Sequence, residues 1–265
     1  MNDSTTLAGF ARETHTIDGI ETAVLTAGDG PPLVFFHGAG TFSGFDFALP
    51  WAARFKVYVP YHPGFGLSGD DDRIDSMQDY VLHYLDLFDA LGLDRFRLAG
   101  FSLGGWLAAT FASQQRHRVE RLALIAPACL AEAEPPGPDL FRIPPEELPA
   151  MLVADPKTLA RFGAGAPDPE AMVLGYREMT ATARVTWEHP TDHKLPRWLH
   201  RIDMPTLIVW GKEDRLVPAG QAKRWRALIP QAKVETFSPA GHLVLDEKPE
   251  AVAAVAAFMD SRADS

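Results

Sequence analysis

A serine flanked by two glycines constrains the fold of this chain more than any other feature of its sequence. The segment Gly100–Gly104 reads Gly-Phe-Ser-Leu-Gly and directly follows the strand-like run Arg97–Ala99. A helical pattern from Trp106 to Gln114 comes next. The two glycines allow a strand to turn sharply into a helix without Cβ clashes. The sequence therefore predicts a tight turn that presents the hydroxyl of Ser102 at the carboxyl end of a sheet.

Apolar runs separated by helical patterns predict the rest of the sheet. Such runs lie at 32–36, 55–60, 121–127, 205–211 and 234–237. Strands that are apolar along nearly their whole length are buried on both faces, as in a parallel sheet covered by helices. An Asp18-Gly19 turn signal between two alternating segments predicts a hairpin at the start of the chain. These patterns indicate the α/β class, with a mostly parallel central sheet flanked by helices.

Three further landmarks follow predicted strands. The run 32–36 ends in His37-Gly38, the run 205–211 leads into Asp214, and Gly241-His242 comes after the last strand. Together with the serine turn, they resemble the α/β-hydrolase superfamily over nearly the whole chain. The resemblance implies an α/β-hydrolase fold with a Ser102, Asp214 and His242 catalytic triad, in the chain order of that fold.

The chemistry of such a triad explains why these residue types are needed. A serine hydroxyl is a poor nucleophile at neutral pH, so a nearby base must remove its proton during attack. Histidine suits this role because its ordinary pKa is about 6.5. The Asp214 carboxylate would orient His242 and stabilise the imidazolium. The backbone N–H groups of Ala39 and Leu103 are the expected oxyanion hole, where negative charge develops on the substrate oxygen.

Other roles stay open for these residues. Ser102 would also serve as a small residue at a helix start, and His242 as a polar loop residue. Asp214 would also fit a turn before a helix, with its neighbour Glu213 as the competing acid. Asp246 is a weaker alternative, because an acid near a helix start complements the helix dipole. In the resembling families the acid is the fourth residue of Gly-x-x-Asp, which favours Asp214.

The remaining histidines do not predict a metal site. We expect His37 to support the oxyanion loop rather than act as a base. Surface or capping positions are expected for His62, His83, His117, His189, His193 and His200. His189 and His193 have a helical ligand spacing, but Pro190 interrupts it. The glycine turn also lacks the dinucleotide-binding pattern, because Ser102 occupies the place of its middle glycine. We therefore expect neither a metal nor a cofactor.

The predicted domain organisation is a core of 1–129 and 198–265 with an insertion of 130–197. The insertion is rich in proline, with short helical stretches such as 170–183, and it resembles the helical cap of the superfamily. A largely apolar acyl or ring pocket is expected under this cap. The candidate lining residues are Phe141, Met151, Phe162, Met172, Tyr176, Met179 and Trp187.

Composition excludes several partners. A net charge of −10 argues against nucleic acid. The sequence has no run of 18 or more apolar residues, so it predicts no membrane-spanning helix. The single cysteine, Cys129, excludes an internal disulfide, and with the polar, acidic start of the sequence it favours the cytoplasm. The expected partner is a small-molecule substrate, and an exposed apolar face of the cap would allow two subunits to pair as a homodimer.

The resemblance implies a serine hydrolase of small, hydrophobic carboxylic esters that works through an acyl-enzyme. Haloalkane dehalogenases and epoxide hydrolases of the superfamily are set aside because they carry aspartate where this chain has Ser102. The alternative is a carbon–carbon bond hydrolase of vinylogous diketone ring-cleavage products. Phe101 and the Leu243–Leu245 segment depart from the residues usual in that group. A further alternative is a ligand-binding protein that keeps the fold without turnover.

Overall fold

The computed structural model describes residues 9–160 and 168–261. Its central sheet has eight strands in the order β1-β2-β4-β3-β5-β6-β7-β8 within this described part. Their bounds are β1 (Ala11–Ile17), β2 (Ile20–Ala27), β3 (Pro32–Phe36), β4 (Lys56–Pro60), β5 (Phe96–Phe101), β6 (Val119–Ile125), β7 (Thr206–Gly211) and β8 (Lys233–Phe237). Strand β2 pairs antiparallel with β1 and β4, and all other pairs are parallel. The predicted mostly parallel α/β sheet is confirmed.

The sheet begins with the predicted hairpin. Ile17 pairs with Ile20, so only two residues connect the strands. Asp18 and Gly19 have φ values of 46° and 84°, in the left-handed region that a tight two-residue turn requires. Glycine adopts this conformation freely, and aspartate tolerates it better than most residues.

Helices cover both faces of the sheet. Their bounds are α1 (Met77–Ala90), α2 (Leu103–Gln114), α3 (Leu148–Leu152), α4 (Pro156–Leu159), α5 (Pro169–Thr186), α6 (Ala222–Leu228), α7 (Val244–Glu247) and α8 (Pro249–Asp260). Helix α1 begins at a capping box in which Ser76 and Asp79 satisfy each other's backbone N–H. No helix in the described ranges is both long and apolar enough to cross a membrane.

Two hydrophobic cores result from the alternation of side chains along the buried strands. Phe35 on β3 packs against Trp51, with ring centroids 5.8 Å apart, on one face of the sheet. Its neighbour Phe36 packs against Tyr84 of α1, at 4.3 Å, on the other face. Because helices cover both faces of the sheet, a substrate can approach it at the ends of the strands.

The chain between β6 and β7, residues 126–205, is called the inserted segment below. Its described part contains α3, α4 and α5 and contributes no strand to the sheet. Asp168 caps the start of helix α5, and its side chain accepts a hydrogen bond from the N–H of Glu170 at 3.1 Å. Near the other end of α5, Arg184 donates to the carbonyl of Asp71 at 2.8 Å, which holds the helix against the core. The boundaries 130–197 stay a prediction.

Candidate active site

Ser102 lies at the junction of β5 and α2 in a strained backbone conformation. Its φ and ψ are 54° and −116°, a region that non-glycine residues rarely adopt and that costs about 1–3 kcal/mol. The N–H of Ser102 donates to the carbonyl of Ile125 at 2.9 Å, and its carbonyl accepts from Gly105 and Ala128. Among the described residues its hydroxyl has no hydrogen-bond partner and its side chain is buried. The predicted tight turn is confirmed.

The glycines of the turn are required by close backbone approach. A Cβ on Gly100 would lie 2.2 Å from the carbonyl oxygen of Gly104. A Cβ on Gly104 would lie 2.2 Å from the carbonyl oxygen of Phe36 and 2.3 Å from that of His37. Helix α2 therefore begins in direct backbone contact with the end of β3, and any side chain at Gly104 would separate them.

Asp214 and His242 are brought together although they follow different strands. His242 Nδ1 lies 2.8 Å from Asp214 Oδ2, and both side chains are buried. Oδ1 of Asp214 accepts from the N–H groups of Leu216 and Val217 at 3.0 and 2.8 Å. Oδ2 also accepts from Trp210 Nε1 at 3.2 Å. The carboxylate is thus fixed by four donors, and donation from Nδ1 leaves Nε2 of a neutral His242 as the proton acceptor.

The adjacent acid, Glu213, has a different set of contacts. Its carboxylate accepts from Ser238 Oγ at 2.7 Å and from the N–H of Ala240 at 2.8 Å. These hydrogen bonds, that from Ser238 first, hold the pKa of Glu213 below its ordinary value. Glu213 therefore braces the loop that leads to His242, whereas Asp214 contacts the imidazole itself.

Phe101 brings the histidine loop next to the serine turn. Its ring packs on the ring of His242 with centroids 4.8 Å apart. Because Phe101 directly precedes Ser102, this contact places His242 beside the turn, although no hydrogen bond joins Ser102 to His242 within the described residues. The loop is also tied to the inserted segment, since the N–H of Leu243 donates to the carbonyl of Leu152 at 2.8 Å.

The loop after β3 passes directly over the serine turn. A Cβ on Gly38 would lie 3.0 Å from Phe101 Cδ1 and 3.3 Å from Ser102 Cβ. Ala39 follows on this loop, and Leu103 is the first residue of α2. Among the described residues, the N–H groups of Ala39 and Leu103 have no hydrogen-bond acceptor.

His37 and His62 hold the loop after β3 in place through a network of hydrogen bonds. His37 Nδ1 donates to the carbonyl of Gly38 at 2.7 Å, and its Nε2 accepts from the N–H of His62 at 3.0 Å. His62 Nε2 donates to the carbonyl of His37 at 2.9 Å, and Tyr84 donates its hydroxyl proton to Nδ1. A trans peptide is planar with its C=O and N–H on opposite sides, so fixing the Gly38 carbonyl also fixes the Ala39 N–H.

Burial keeps these two histidines neutral. It lowers the pKa of His37 to about 4 and that of His62 well below its ordinary value. His83 is also buried, lies 3.0 Å from Thr22 Oγ1, and has its pKa lowered to about 4. The expectation of surface or capping positions was wrong for His62 and His83. The helical periodicity of α1 was the available signal for His83, because it shares the buried face with Tyr80 and Tyr84.

The inserted segment contributes contacts that sequence reasoning missed. The buried carboxylate of Glu178, on α5, accepts hydrogen bonds from the N–H and hydroxyl of Thr41 and from the N–H of Gly66. Glu178 lies 137 residues from Thr41 in the chain, so no local pattern indicates the contact. A small apolar cluster also joins the segment to the site. It contains Leu148, Leu152, Val153 and Leu159 from the inserted segment, with Phe101, Leu216 and Leu243 from the core.

Several predicted pocket residues lie elsewhere. Met172, Tyr176 and Trp187 are 62%, 79% and 69% exposed, so the prediction that they line a covered pocket was wrong. Helix α5 presents Met172 and Tyr176 to solvent, and Trp187 directly follows its last residue. The buried face of α5 carries other residues instead, namely Glu178, Ala181, Thr182 and Thr186. Phe141, Met151 and Met179 are partly buried. Phe162 lies outside the described residues.

No cluster in the described ranges has the composition of a metal site. Within residues 9–160 and 168–261, no three His, Cys, Asp or Glu side chains lie close enough together to hold an ion. The groups at this site are a hydroxyl, an imidazole, a carboxylate and two backbone N–H groups, which are the groups that nucleophilic acyl chemistry requires.

Sequence comparison assigns the family. The sequence model of the Alpha/beta hydrolase family matches residues 33–255, which include the serine turn, Asp214 and His242. The chain belongs to the Alpha/beta hydrolase family. It is 28% identical to the 2-hydroxy-6-oxo-2,4-heptadienoate hydrolase of Pseudomonas putida, covering 87% of this chain and 89% of that protein. It is 27% identical to carboxylesterase YbfK of Bacillus subtilis, covering 88% and 81%.

A solved structure shares the fold over most of the chain. The crystal structure of a membrane phospholipase A, described as a bacterial virulence factor, superimposes with a TM-score of 0.80. The two proteins are 26% identical, and the match covers 96% of this chain and 86% of that one. Esterases and carbon–carbon bond hydrolases thus both occur among the relatives of this hydrolase.

Proposed function

We propose that this hydrolase cleaves small, hydrophobic carboxylic esters through an acyl-enzyme formed on Ser102. The observation that carries the proposal is the 2.8 Å hydrogen bond between Asp214 and His242, beside a serine held in a strained turn. Strained backbone persists at a functional site when the surrounding structure over-determines it. The unpaired N–H groups of Ala39 and Leu103 supply the other requirement of acyl transfer.

The proposed reaction has two halves. In the first, Ser102 Oγ attacks the ester carbonyl while His242 Nε2 takes its proton, and Asp214 stabilises the imidazolium. The carbonyl oxygen becomes an oxyanion that accepts hydrogen bonds from Ala39 and Leu103. Collapse of this intermediate breaks the C–O bond, and His242 returns the proton to the departing alcohol. In the second half, His242 deprotonates a water that attacks the acyl group, which releases the acid and restores Ser102.

The apolar cluster supports a hydrophobic substrate. Leu152 and Val153 of the inserted segment pack with Leu243 and Phe101, which are the neighbours of His242 and Ser102. Side chains of this kind favour an acyl group or ring over a charged group, because a charge desolvated there would lack a partner. We propose that the inserted segment acts as a cap over this site. The similarity to carboxylesterase YbfK supports the ester class.

Steady-state kinetics with short-chain aryl esters tests the proposal. Wild-type protein should hydrolyse these esters, and Ser102→Ala should lower kcat by at least about 10⁴-fold, because the nucleophile is lost. Ser113→Ala is the matched control, since Ser113 lies on helix α2, which follows Ser102, and its hydroxyl donates to the carbonyl of Thr110 within that helix. Equal ester hydrolysis by Ser102→Ala and wild type would rule out the proposed nucleophile.

Carbon–carbon bond hydrolysis is the second candidate function. The similarity to the 2-hydroxy-6-oxo-2,4-heptadienoate hydrolase of Pseudomonas putida favours it, at nearly the same identity as the carboxylesterase. In this reaction the same serine and histidine would act on the ketone of a vinylogous diketone acid. A panel that includes such an acid beside the aryl esters separates the two. If kcat/KM for the acid exceeds kcat/KM for the best ester by more than about 100-fold, carbon–carbon bond hydrolysis replaces ester hydrolysis as the proposed function.

A further inference from the structure

A buried carboxylate lies where the inserted segment meets two loops of the core. Glu178 is only 4% exposed although it lies on α5, whose other face is open to solvent. Its Oε2 accepts from the N–H of Thr41 at 3.1 Å, and its Oε1 accepts from the Thr41 hydroxyl and from the N–H of Gly66 at 2.9 Å. An ionised carboxylate only accepts hydrogen bonds, so all three contacts match its chemistry.

Two arginines of α5 bond to a single core loop. Arg177 donates to the carbonyl of Gly66, and Arg184 donates to the carbonyl of Asp71 and pairs with Asp70. These bonds fasten the helix to the loop after β4. Glu178 differs from both arginines because it also binds Thr41, on the loop after β3.

Thr41 lies two residues after Ala39, whose N–H is one of the two unpaired donors above the serine turn. On the upstream side, His37 fixes the carbonyl of Gly38. On the downstream side, Glu178 fixes both the N–H and the hydroxyl of Thr41. Ala39 therefore lies between two residues whose backbone groups are held by hydrogen bonds. Gly38 is held by the core, and Thr41 is held by the inserted segment.

We propose that Glu178 is a positioning residue that sets the place of the Ala39 N–H in the oxyanion hole. The inference rests on the proposed function, because it concerns the donor that stabilises the oxyanion during attack by Ser102. A catalytic group misplaced by about 1 Å can cost about 10²-fold in rate, and an oxyanion donor acts on the transition state more than on ground-state binding. The inserted segment thus acts on the reaction as well as on access to it.

Glu178→Gln is the direct test, with Glu170→Gln as the matched control on the exposed first turn of the same helix. Glutamine keeps the size of the side chain but replaces one acceptor oxygen with an NH₂ group, which faces a donor from Thr41 or Gly66. We expect kcat for an aryl ester to fall about 10- to 100-fold, with KM within about threefold of wild type. Glu170→Gln should leave both constants unchanged.

A second pair of variants isolates the hydroxyl contact of Thr41 and keeps the inference testable if Glu178→Gln misfolds. Thr41→Ser keeps the hydroxyl and should retain wild-type kcat within about threefold. Thr41→Val lacks the hydroxyl and should lower kcat by about three- to tenfold. The inhibition constant of phenylboronic acid, which forms a tetrahedral adduct with an activated serine, should rise in each variant by the factor by which kcat falls.

Each outcome decides the inference. Unchanged kcat in Glu178→Gln and Thr41→Val, or a rise in KM alone, would overturn it, because the carboxylate would then only shape the pocket or fasten the cap. A lowered melting temperature with unchanged kcat would also overturn it. Failure of the proposed function looks different. In that case wild-type protein itself neither hydrolyses aryl esters nor binds phenylboronic acid, and the inference fails with it.

Discussion

The two sides of the candidate active site are built from different kinds of contact. On the acid–base side, three of the four donors to Asp214 come from residues within four positions of it, namely Trp210, Leu216 and Val217. On the oxyanion side, the loop after β3 depends on His62, 25 residues from His37, and on Glu178, 137 residues from Thr41. The Asp214 carboxylate is therefore held mostly by residues close to it in the chain, whereas the loop after β3 is held by residues from distant parts of the chain.

This difference indicates which parts of the site tolerate change in helix α5. The orientation of Asp214 is set by the turn after β7 and does not depend on α5. The position of the oxyanion loop depends on α5 through Glu178. We therefore expect alterations of α5 to act on transition-state stabilisation, while His242 keeps its hydrogen bond to Asp214.

The largest expected loss of kcat comes from a substitution on the acid–base side. Asp214→Asn should lower kcat by about 10⁴-fold, because the amide no longer selects the His242 tautomer or stabilises the imidazolium. Glu213→Gln is the matched neighbour and should lower kcat less than tenfold, since Glu213 contacts Ser238 and Ala240 instead. Steady-state ester kinetics on both variants checks the pair. Equal losses would contradict the separate roles assigned to these two acids.

The next effect concerns the point where the two sides meet. Gly104→Ala should lower the free energy of unfolding by about 3 kcal/mol or more, because its Cβ would overlap two backbone carbonyls that cannot move independently. Gly175→Ala, on α5, has no atom within 4 Å of the added Cβ and should raise stability by about 0.5–1 kcal/mol. Urea denaturation of both variants measures the contrast, and a Gly104→Ala protein as stable as wild type would refute the close approach.

The free energy of unfolding should fall in acid, because His37 beneath the oxyanion loop is buried in its neutral form. The pKa of His37 is lowered from about 6.5 in the unfolded chain to about 4, so between these values the unfolded state binds more protons. Stability is therefore fully present above pH 6.5 and is lost as pH falls toward 4, by up to about 3 kcal/mol from His37 alone. Urea denaturation at pH 7.5, 6 and 5 follows the loss.

His83→Gln sharpens this pH test, because His83 shares the lowered pKa but contacts Thr22 rather than the oxyanion loop. The variant should show a shallower pH dependence of stability without abolishing it, since His37 and His62 still contribute. Stability that stays constant from pH 7.5 to 5 in wild type would contradict the buried, neutral histidines.

The smallest expected effect concerns Ser238, whose hydroxyl donates to Glu213 next to Asp214. Ser238→Ala removes one hydrogen bond to Glu213, which also accepts from Ala240. We expect a loss of about 0.5–1 kcal/mol in the free energy of unfolding and a kcat within threefold of wild type, because Asp214 keeps its own donors. A kcat loss beyond tenfold would show that the acid–base side relies on more than its local contacts.

The sequence predicted most of the local features and few of the distant ones. The strand-to-helix turn at Ser102 and the parallel sheet were predicted because glycine spacing and apolar runs are short-range signals. Glu178 was missed because its partner Thr41 is brought to it only by the packing of α5. His62 was misplaced for the same reason, since the donors and acceptors that satisfy its buried ring come from Tyr84 and His37.

The inserted segment shows the same limit. Its aromatic and methionine side chains predicted a lining, but Tyr176 and Trp187 are exposed. Short helices separated by prolines carry no periodicity strong enough to tell which face packs on the core. The apolar contact with the site comes instead from Leu152 and Val153, which are buried against Leu243.

Intact mass after incubation with a fluorophosphonate tests the central claim most directly. Such a probe phosphonylates a serine that has a working base and oxyanion hole, so it reports both sides of the site at once. Wild-type protein should gain the mass of one adduct, and Ser102→Ala should gain none. An adduct of equal yield on Ser102→Ala, or no adduct on folded wild-type protein, would contradict the claim that the two sides meet at Ser102.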